Sequence, residues 1–258
     1  QVAFTEGFRV YSMPLPMTGK AIEIGKDGTA VPVAKLAGNG AGSLHWSADS
    51  RTVHWLEGSR FLSQAPGGAV SHVDVGLDLP TDAPTDVVAF TGGRVVTMRD
   101  AQARQEVIED GVVVVRGTDI VAVGKRGDVA VPAGARTIDA SGNTLFPGIV
   151  DVHAHAAHFG SGVVAQQNWA YYANLAFGIT TMHDPSASTE MVFSQAELQK
   201  AGVLVGPRIF STGGILYGAD GDIRATINSL DDARKHLQRL KDVGATSVKS
   251  YNQPRRDQ

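Results

Sequence analysis

Apolar and polar positions follow two rhythms along the chain, and the rhythm changes near residue 149. From Phe8 to about Leu79 the apolar residues come in short runs broken by Gly, Pro and Asp. "FRVYSMPL", "KAIEIG", "TAVPVAKL", "SLHWSADSRTVHWL" and "SRFLSQA" each predict a strand with a turn behind it. From Asp86 to Leu145 the runs lengthen. "DVVAFTGGRVVTM", "QEVIEDGVVVVRG", "TDIVAVGK" and "ARTIDASGNTLFPG" predict a small β-sandwich or roll. From Ile149 the pattern alternates between strand and helix. The strand candidates are "GIVDVH", "GITTMH", "PRIFST" and "ATSVKSY", and between them lie "AQQNWAYYANLAFG", "STEMVFSQAELQKAG" and "SLDDARKHLQRLKDVGA".

The last helical stretch carries the fullest set of signals. Ser229 is placed to cap it, and Asp231 and Asp232 sit at the positive end of its dipole. Ala233, Leu237, Leu240 and Val243 form a stripe at helical spacing, and Gly244 is placed to end the helix. Strands alternating with helices at this spacing predict βα units and a parallel sheet. The fold class expected is therefore α/β plus all-β.

Four such units precede the terminal "YNQPRRDQ". A closed (β/α)8 barrel needs eight strands and about 250 residues of its own. The expectation is a partial (β/α)8 TIM barrel within a longer protein, its other half in the same polypeptide or in another chain. Supplied by another chain, that half would meet the open sheet edge in a large, obligate interface, and a homo-oligomer is expected. The chain divides into residues 1–80, 81–148 and 149–258.

Composition narrows the function classes. A net charge of −3, with 23 Lys and Arg against 26 Asp and Glu and no basic stripe, gives no electrostatic basis for nucleic-acid binding. No run approaches the ~18 apolar residues of a membrane span. The start, "QVAFTEGFRV", has no signal-peptide pattern, although a cleaved signal would leave no trace. Zero cysteines exclude disulfides, thiolate metal sites and cysteine nucleophiles. Any metal must then sit on His, carboxylate or a modified side chain.

The candidate chemistry lies in "LFPGIVDVHAHAAHFGSG". Side chains two apart on a strand share a face, so His153 and His155 project together from the end of the first parallel strand. In a barrel, that end is the active-site face. Two neutral imidazoles make a poor core pair, since each needs polar partners, but a good two-pronged grip on a divalent ion. By spacing alone, ligation and a merely polar barrel mouth stay equally open; the position after a β-rich lead-in favours ligation.

"GNTLFPGIVDVHAHAAH" resembles the first-strand signature of the amidohydrolase superfamily, P-G-(L/F/I)-(I/V)-D-x-H-x-H after a small β-sandwich. "ANLAFGITTMHDPSA" and "GPRIFSTGG" are similar to that family's second and third strands, so the resemblance covers about Asp86 to Tyr251. Within the superfamily the imidazolonepropionase- and prolidase-like branch is the most similar. Upstream, "HWSADSRTVHWLEGSRFLSQ" resembles one blade of a TolB-like β-propeller, of which residues 1–80 would hold the end; generic antiparallel hairpins are the alternative.

The family resemblance implies a third ligand. Many members carboxylate a lysine at the end of the fourth strand, and "TSVKSY" puts Lys249 there. By itself Lys249 is a strand-end lysine, and a solvated surface lysine is the favoured reading. A carbamate would turn that cation into an anionic bridge between two metal ions. The resemblance further implies one or two divalent ions, zinc foremost with manganese, cobalt or iron also suited, and a catalytic aspartate beyond the fourth strand. The substrate implied is a small amide or peptide: a dipeptide, an N-acyl amino acid or a cyclic amide, hydrolysed by a metal-activated water. A binding protein on the same scaffold and a deaminase on the same barrel are the alternatives.

Further candidates are His158 and His183 as substrate contacts, with Asp184 bracing the following loop, and Tyr217 as a pocket wall in "STGGILYGADG". Arg255 and Arg256 are placed to meet a substrate carboxylate or solvent. His45, His54 and His72 read as turn or surface residues, and His236 as lying on the polar side of its helix. TolB-like blades and the lack of cysteine suit a periplasmic or secreted protein, with a cytoplasmic one also compatible.

Overall fold

The computed structural model describes residues 1–99, 106–156, 164–217 and 225–251. The N-terminal part holds two antiparallel sheets. Strands β1 (Val2–Glu6), β2 (Arg9–Met13) and β3 (Ala34–Lys35) form the first. Strands β4 (Gly42–Trp46), β5 (Val53–Glu57), β6 (Arg60–Gln64) and β7 (Val70–Asp74) form a meander in chain order. Alternation decides its faces. Val53, Trp55 and Leu62 point inward to meet Val10 and Leu36, while His54, Phe61 and Val73 take the outward face. The expected strand at "KAIEIG" does not form; Lys20–Gly25 is loop. "TAVPVAKL" shrinks to two paired residues because Pro32 has no N–H to give a ladder.

Strands β8 (Val87–Val96), β9 (Val107–Arg116) and β10 (Asp119–Lys125) run antiparallel, and β11 (Arg136–Asp139) and β12 (Thr144–Leu145) lie parallel along β8. The described strands of this region make one five-stranded mixed sheet rather than two stacked ones. Apolar clusters line both its faces, Ala89, Val112 and Val114 on one and Val95, Ile108 and Val113 on the other.

The chain then alternates as its pattern predicts. Strand β13 (Ile149–Asp151), helix α1 (Trp169–Ala176), strand β14 (Ile179–Asp184), helix α2 (Thr189–Lys200) and strand β15 (Arg208–Ser211) give a parallel sheet in the order β13-β14-β15. Tyr171, Met182, Val192 and Ala196 pack the helices onto it. Gly148 permits the entry to β13, since a Cβ there would fall 2.0 Å from Thr180 Oγ1. No helix among the described residues is long and apolar enough to cross a membrane.

Beyond β15 come β16 (Leu216–Tyr217), β17 (Ala225–Thr226), helix α3 (Leu230–Asp242) and β18 (Ser250–Tyr251). The fourth strand departs from expectation. Strand β18 pairs with β16, in a small parallel sheet ordered β17-β16-β18, and not with β15. Leu216 N–H donates to the Lys249 carbonyl, so the Gly-rich segment after β15 takes the partner position.

Helix α3 starts and stops as its caps dictate. Ser229 Oγ accepts from Asp232 N–H (3.1 Å), and Gly244 turns away at φ +92°. Its buried face differs from the apolar stripe. His236 and Leu240 are buried while Leu237 is 40% exposed, so His236 does not lie on a polar side. The cause is the surface the helix meets. Asp232 pairs with Arg9 (2.8 Å), and the Arg239 guanidinium lies 4.6 Å over the Phe8 ring and donates to the Asn39 carbonyl (3.2 Å). Arg239 also donates to His236 Nδ1 (3.1 Å), and His236 Nε2–H donates to the Gly214 carbonyl (3.2 Å). Burial and the Arg239 charge pull His236 down to about 4, so the ring is neutral.

Candidate metal centre

Residues 152–156 continue the line of β13 beside β14. Ala154 N–H donates to the His183 carbonyl (3.0 Å), and Ala154 is buried between two exposed histidines. That alternation puts His153 and His155 on one side, ring centroids 5.0 Å apart and planes near perpendicular at 86°. Asp151 Oδ1 accepts from His153 N–H (3.0 Å) and fixes the turn of the chain there.

Asp184 is the residue whose role in the site sequence reasoning missed. It ends β14, is 1% exposed, and its Oδ1 lies 2.9 Å from His155 Nδ1. An ionised carboxylate only accepts, so Nδ1 carries the proton and the neutral ring keeps its lone pair at Nε2. This carboxylate–imidazole arrangement recurs behind metal-bound histidines. The same oxygen accepts from Ser186 N–H (3.1 Å), so Asp184 also braces the following loop, as expected. Tyr171 lies close by; burial, then the Asp184 charge, pushes its phenol well above the usual range. The available signal was "HD" at a strand end one register from the H-x-H pair.

His183 faces the other way from Asp184, and its Nε2 lies 2.7 Å from Ser247 Oγ. Ser247 is 64 residues away in sequence and two before Lys249, and nothing in the sequence singles it out. Lys249 stands next to β18, its ammonium 5.2 Å from the Tyr251 ring centroid. Tyr217 stacks on Tyr251 at 6.1 Å and 18°.

Two groups result: His153 and His155 with Asp184 behind them, and Lys249 with Tyr217 and Tyr251 on the smaller sheet. Among the described residues no set of three or more His, Asp or Glu side chains is arranged to hold a metal ion. The two histidines fit a divalent ion as nitrogen donors, one of them with its lone pair directed by a buried carboxylate. His158, Arg255 and Arg256 lie outside the described residues.

No protein-family model matches the chain. Over 70 residues, 27% of the chain, it is 47% identical to the 5-methylthioadenosine/S-adenosylhomocysteine deaminase of Symbiobacterium thermophilum, of which it covers 15%. Over 151 residues, 55% of the chain, it is 30% identical to the dihydroorotase of Geobacter sulfurreducens, of which it covers 33%. The chain thus spans a third or less of either relative. A solved structure from Bifidobacterium longum, assigned as a prolidase, superposes on 64% of this chain and 40% of its own with a TM-score of 0.53 at 21% identity, which shows a shared fold. The chain is thus similar in part of its sequence to a deaminase and a dihydroorotase, and in fold to a structure assigned as a prolidase.

Proposed function

We propose that the chain is part of a metal-dependent hydrolase acting on an amide-type C–N bond, and that residues 149–258 carry the first half of its barrel. The observation that carries this reading is the His153–His155 pair at the carboxyl end of a parallel strand, with buried Asp184 holding the His155 ring. His153 and His155 would hold the ion, zinc foremost. When bound, a divalent ion supplies Lewis acidity towards a carbonyl and lowers the pKa of a coordinated water. The protein's part is to keep the His155 Nε2 lone pair unprotonated and aimed by the Asp184 contact, and to fix His153 through Asp151.

Lys249 as a carboxylated third ligand belongs to the proposal. Its place next to β18 requires that segment to approach the barrel mouth, and the contact of His183 on β14 with Ser247 supports that approach. In (β/α)8 barrels, side chains from alternate strands meet in one interior layer. His183 is then a positioning residue at the barrel mouth, and Tyr217 a pocket wall. The remaining barrel strands, in the same polypeptide or another chain, a homo-oligomeric state and a propeller-like role for the β4–β7 meander complete the reading. For substrate we favour a dipeptide, an N-acyl amino acid or a cyclic amide. The 47% identity to a deaminase over 70 residues favours ring-amine deamination as the second reading.

Elemental analysis of natively purified protein beside the His153→Ala/His155→Ala variant tests the proposal. The expected result is that the variant holds one or two fewer zinc, manganese, cobalt or iron ions per chain than the unaltered protein. Equal metal content in the two, after zinc and manganese are supplied, would overturn it. Acid or amine release from an amide panel, against ammonia release from aminated heterocycles, separates the two chemistries.

A further inference from the structure

A second pair of histidines lies far from the barrel mouth in sequence, on the β4–β7 meander. His45 of β4 and His54 of β5 are directly opposed across the antiparallel ladder, with ring centroids 5.2 Å apart and planes tilted by 33°. Side chains so opposed share one face of the sheet. That is the outward face, because Val53 and Trp55, on either side of His54, are both buried in the core.

Both rings are held. His45 Nδ1–H donates to the Ser43 carbonyl (2.7 Å), and a carbonyl only accepts, so the tautomer is set and the neutral ring's Nε2 is a free lone pair. His54 Nδ1 is engaged by Ser63 Oγ at 2.8 Å, and donating there leaves its Nε2 in the same state. Phe61 stacks on the His54 ring at 5.2 Å and 15°, which restricts its rotation. The ladder is irregular at this point. Its register shifts between Gly42 and His45, and Ser43 sits at φ +51°, a left-handed conformation that a serine adopts at a cost. Bulges of this kind re-aim a neighbouring side chain. Here the bulge turns the Ser43 carbonyl onto the His45 ring.

We propose that His45 and His54 form a second transition-metal site, a two-nitrogen chelate for copper(II), nickel(II) or zinc(II), with water in the remaining positions. Ring centroids 5.2 Å apart match the spacing of two imidazoles that share one ion through bonds of roughly 2.0–2.1 Å. Imidazole donors suit these three ions, and copper(II) binds most tightly of them at a given nitrogen site. The ion would clip edge strand β4 to β5. This site is independent of the barrel-mouth histidines and of the hydrolase reading.

The test uses the full chain carrying His153→Ala/His155→Ala, titrated calorimetrically with copper(II), nickel(II) and zinc(II) chloride. One equivalent should remain, its affinity falling at least tenfold when His45→Gln or His54→Gln is added. Copper(II) EPR should show coupling to two nitrogens, reduced to at most one in either variant. A melting temperature measured in EDTA identifies any variant that fails to fold; His45 is exposed, so His45→Gln keeps the test open if His54→Gln is lost. Binding that neither substitution weakens, or no binding of any of the three ions, would overturn the proposal.

Discussion

The β4–β7 meander and the β13–β15 sheet solve the same burial problem differently. In the meander, each strand pairs with the next across a short turn, and Trp55 and Val53 become fully buried by contacts made within the first 62 residues. In the parallel sheet each neighbour lies a helix away, and the first strand keeps apolar side chains open: Ile149 is 47%, Val150 57% and Val152 72% exposed. Antiparallel hairpins complete themselves locally, whereas a parallel sheet depends on elements far along the chain. The barrel-mouth histidines sit on the less self-sufficient of the two.

The largest effect should come from deleting the centre of each region's core. Trp55→Ala is expected to cost about 3–5 kcal/mol and Met182→Ala about 2–5 kcal/mol, both side chains being fully buried. Urea unfolding followed by tryptophan fluorescence and far-UV CD reads each. If the regions are separable, Trp55→Ala shifts a transition that Met182→Ala leaves in place. A single transition moved by both would break the distinction between self-contained and dependent halves.

Helix α3 joins the two regions, and its His236 gives the next effect. Folded, the ring titrates near 4 against about 6.5 when unfolded, because burial and the Arg239 charge oppose the cation. A depressed pKa means that the unfolded state takes up the proton first. Stability is therefore full above about pH 6.5 and falls as pH drops towards 4, by on the order of 3 kcal/mol. His236→Gln should flatten this leg of the stability–pH curve, measured by urea unfolding from pH 7 to 4.5. An unchanged slope would place the acid sensitivity elsewhere.

Much of this architecture was legible in the residues. Hairpin turns, the strand–helix alternation after Ile149 and the caps of α3 are local signals, and local physics produced them. What failed to show depends on contacts distant in sequence. The inward turn of His236 follows from Phe8, Arg9 and Asn39 lying against α3, over 190 residues before it. The pairing of β18 with β16 follows from where a two-residue strand finds its partner. In the candidate site, the i, i+2 spacing of His153 and His155 was readable because a strand enforces it, while the Asp184 and Ser247 partnerships required the fold.

Asp184 sharpens the comparison from the site's side. If Asp184 orients His155, Asp184→Asn should weaken metal binding about 10–100-fold with the histidines untouched. Competition with a chromogenic chelator measures it, beside a melting curve that reports any general loss of fold. Equal affinity in the variant would reduce Asp184 to the brace for the following loop that its Ser186 contact already makes it.

The smallest effect tests whether the two regions are fastened by charge. Arg9 and Asp232 pair at 2.8 Å with side chains 22% and 25% exposed, and Asp232 also accepts from Ser229 Oγ within the cap of α3. The Ser229 and Arg9 contacts hold the Asp232 carboxyl below the usual range against the opposing effect of its partial burial. A pair this accessible is screened by solvent, so a double-mutant cycle of Arg9→Ala and Asp232→Asn should give a coupling of about 0.5–1 kcal/mol. Raising the salt should reduce it. Single variants confuse this coupling with lost packing of the Arg9 stem and a weakened cap, which is why the cycle is needed. A coupling near zero would leave the join to Arg239 and His236, through their contacts with Phe8, Asn39 and Gly214.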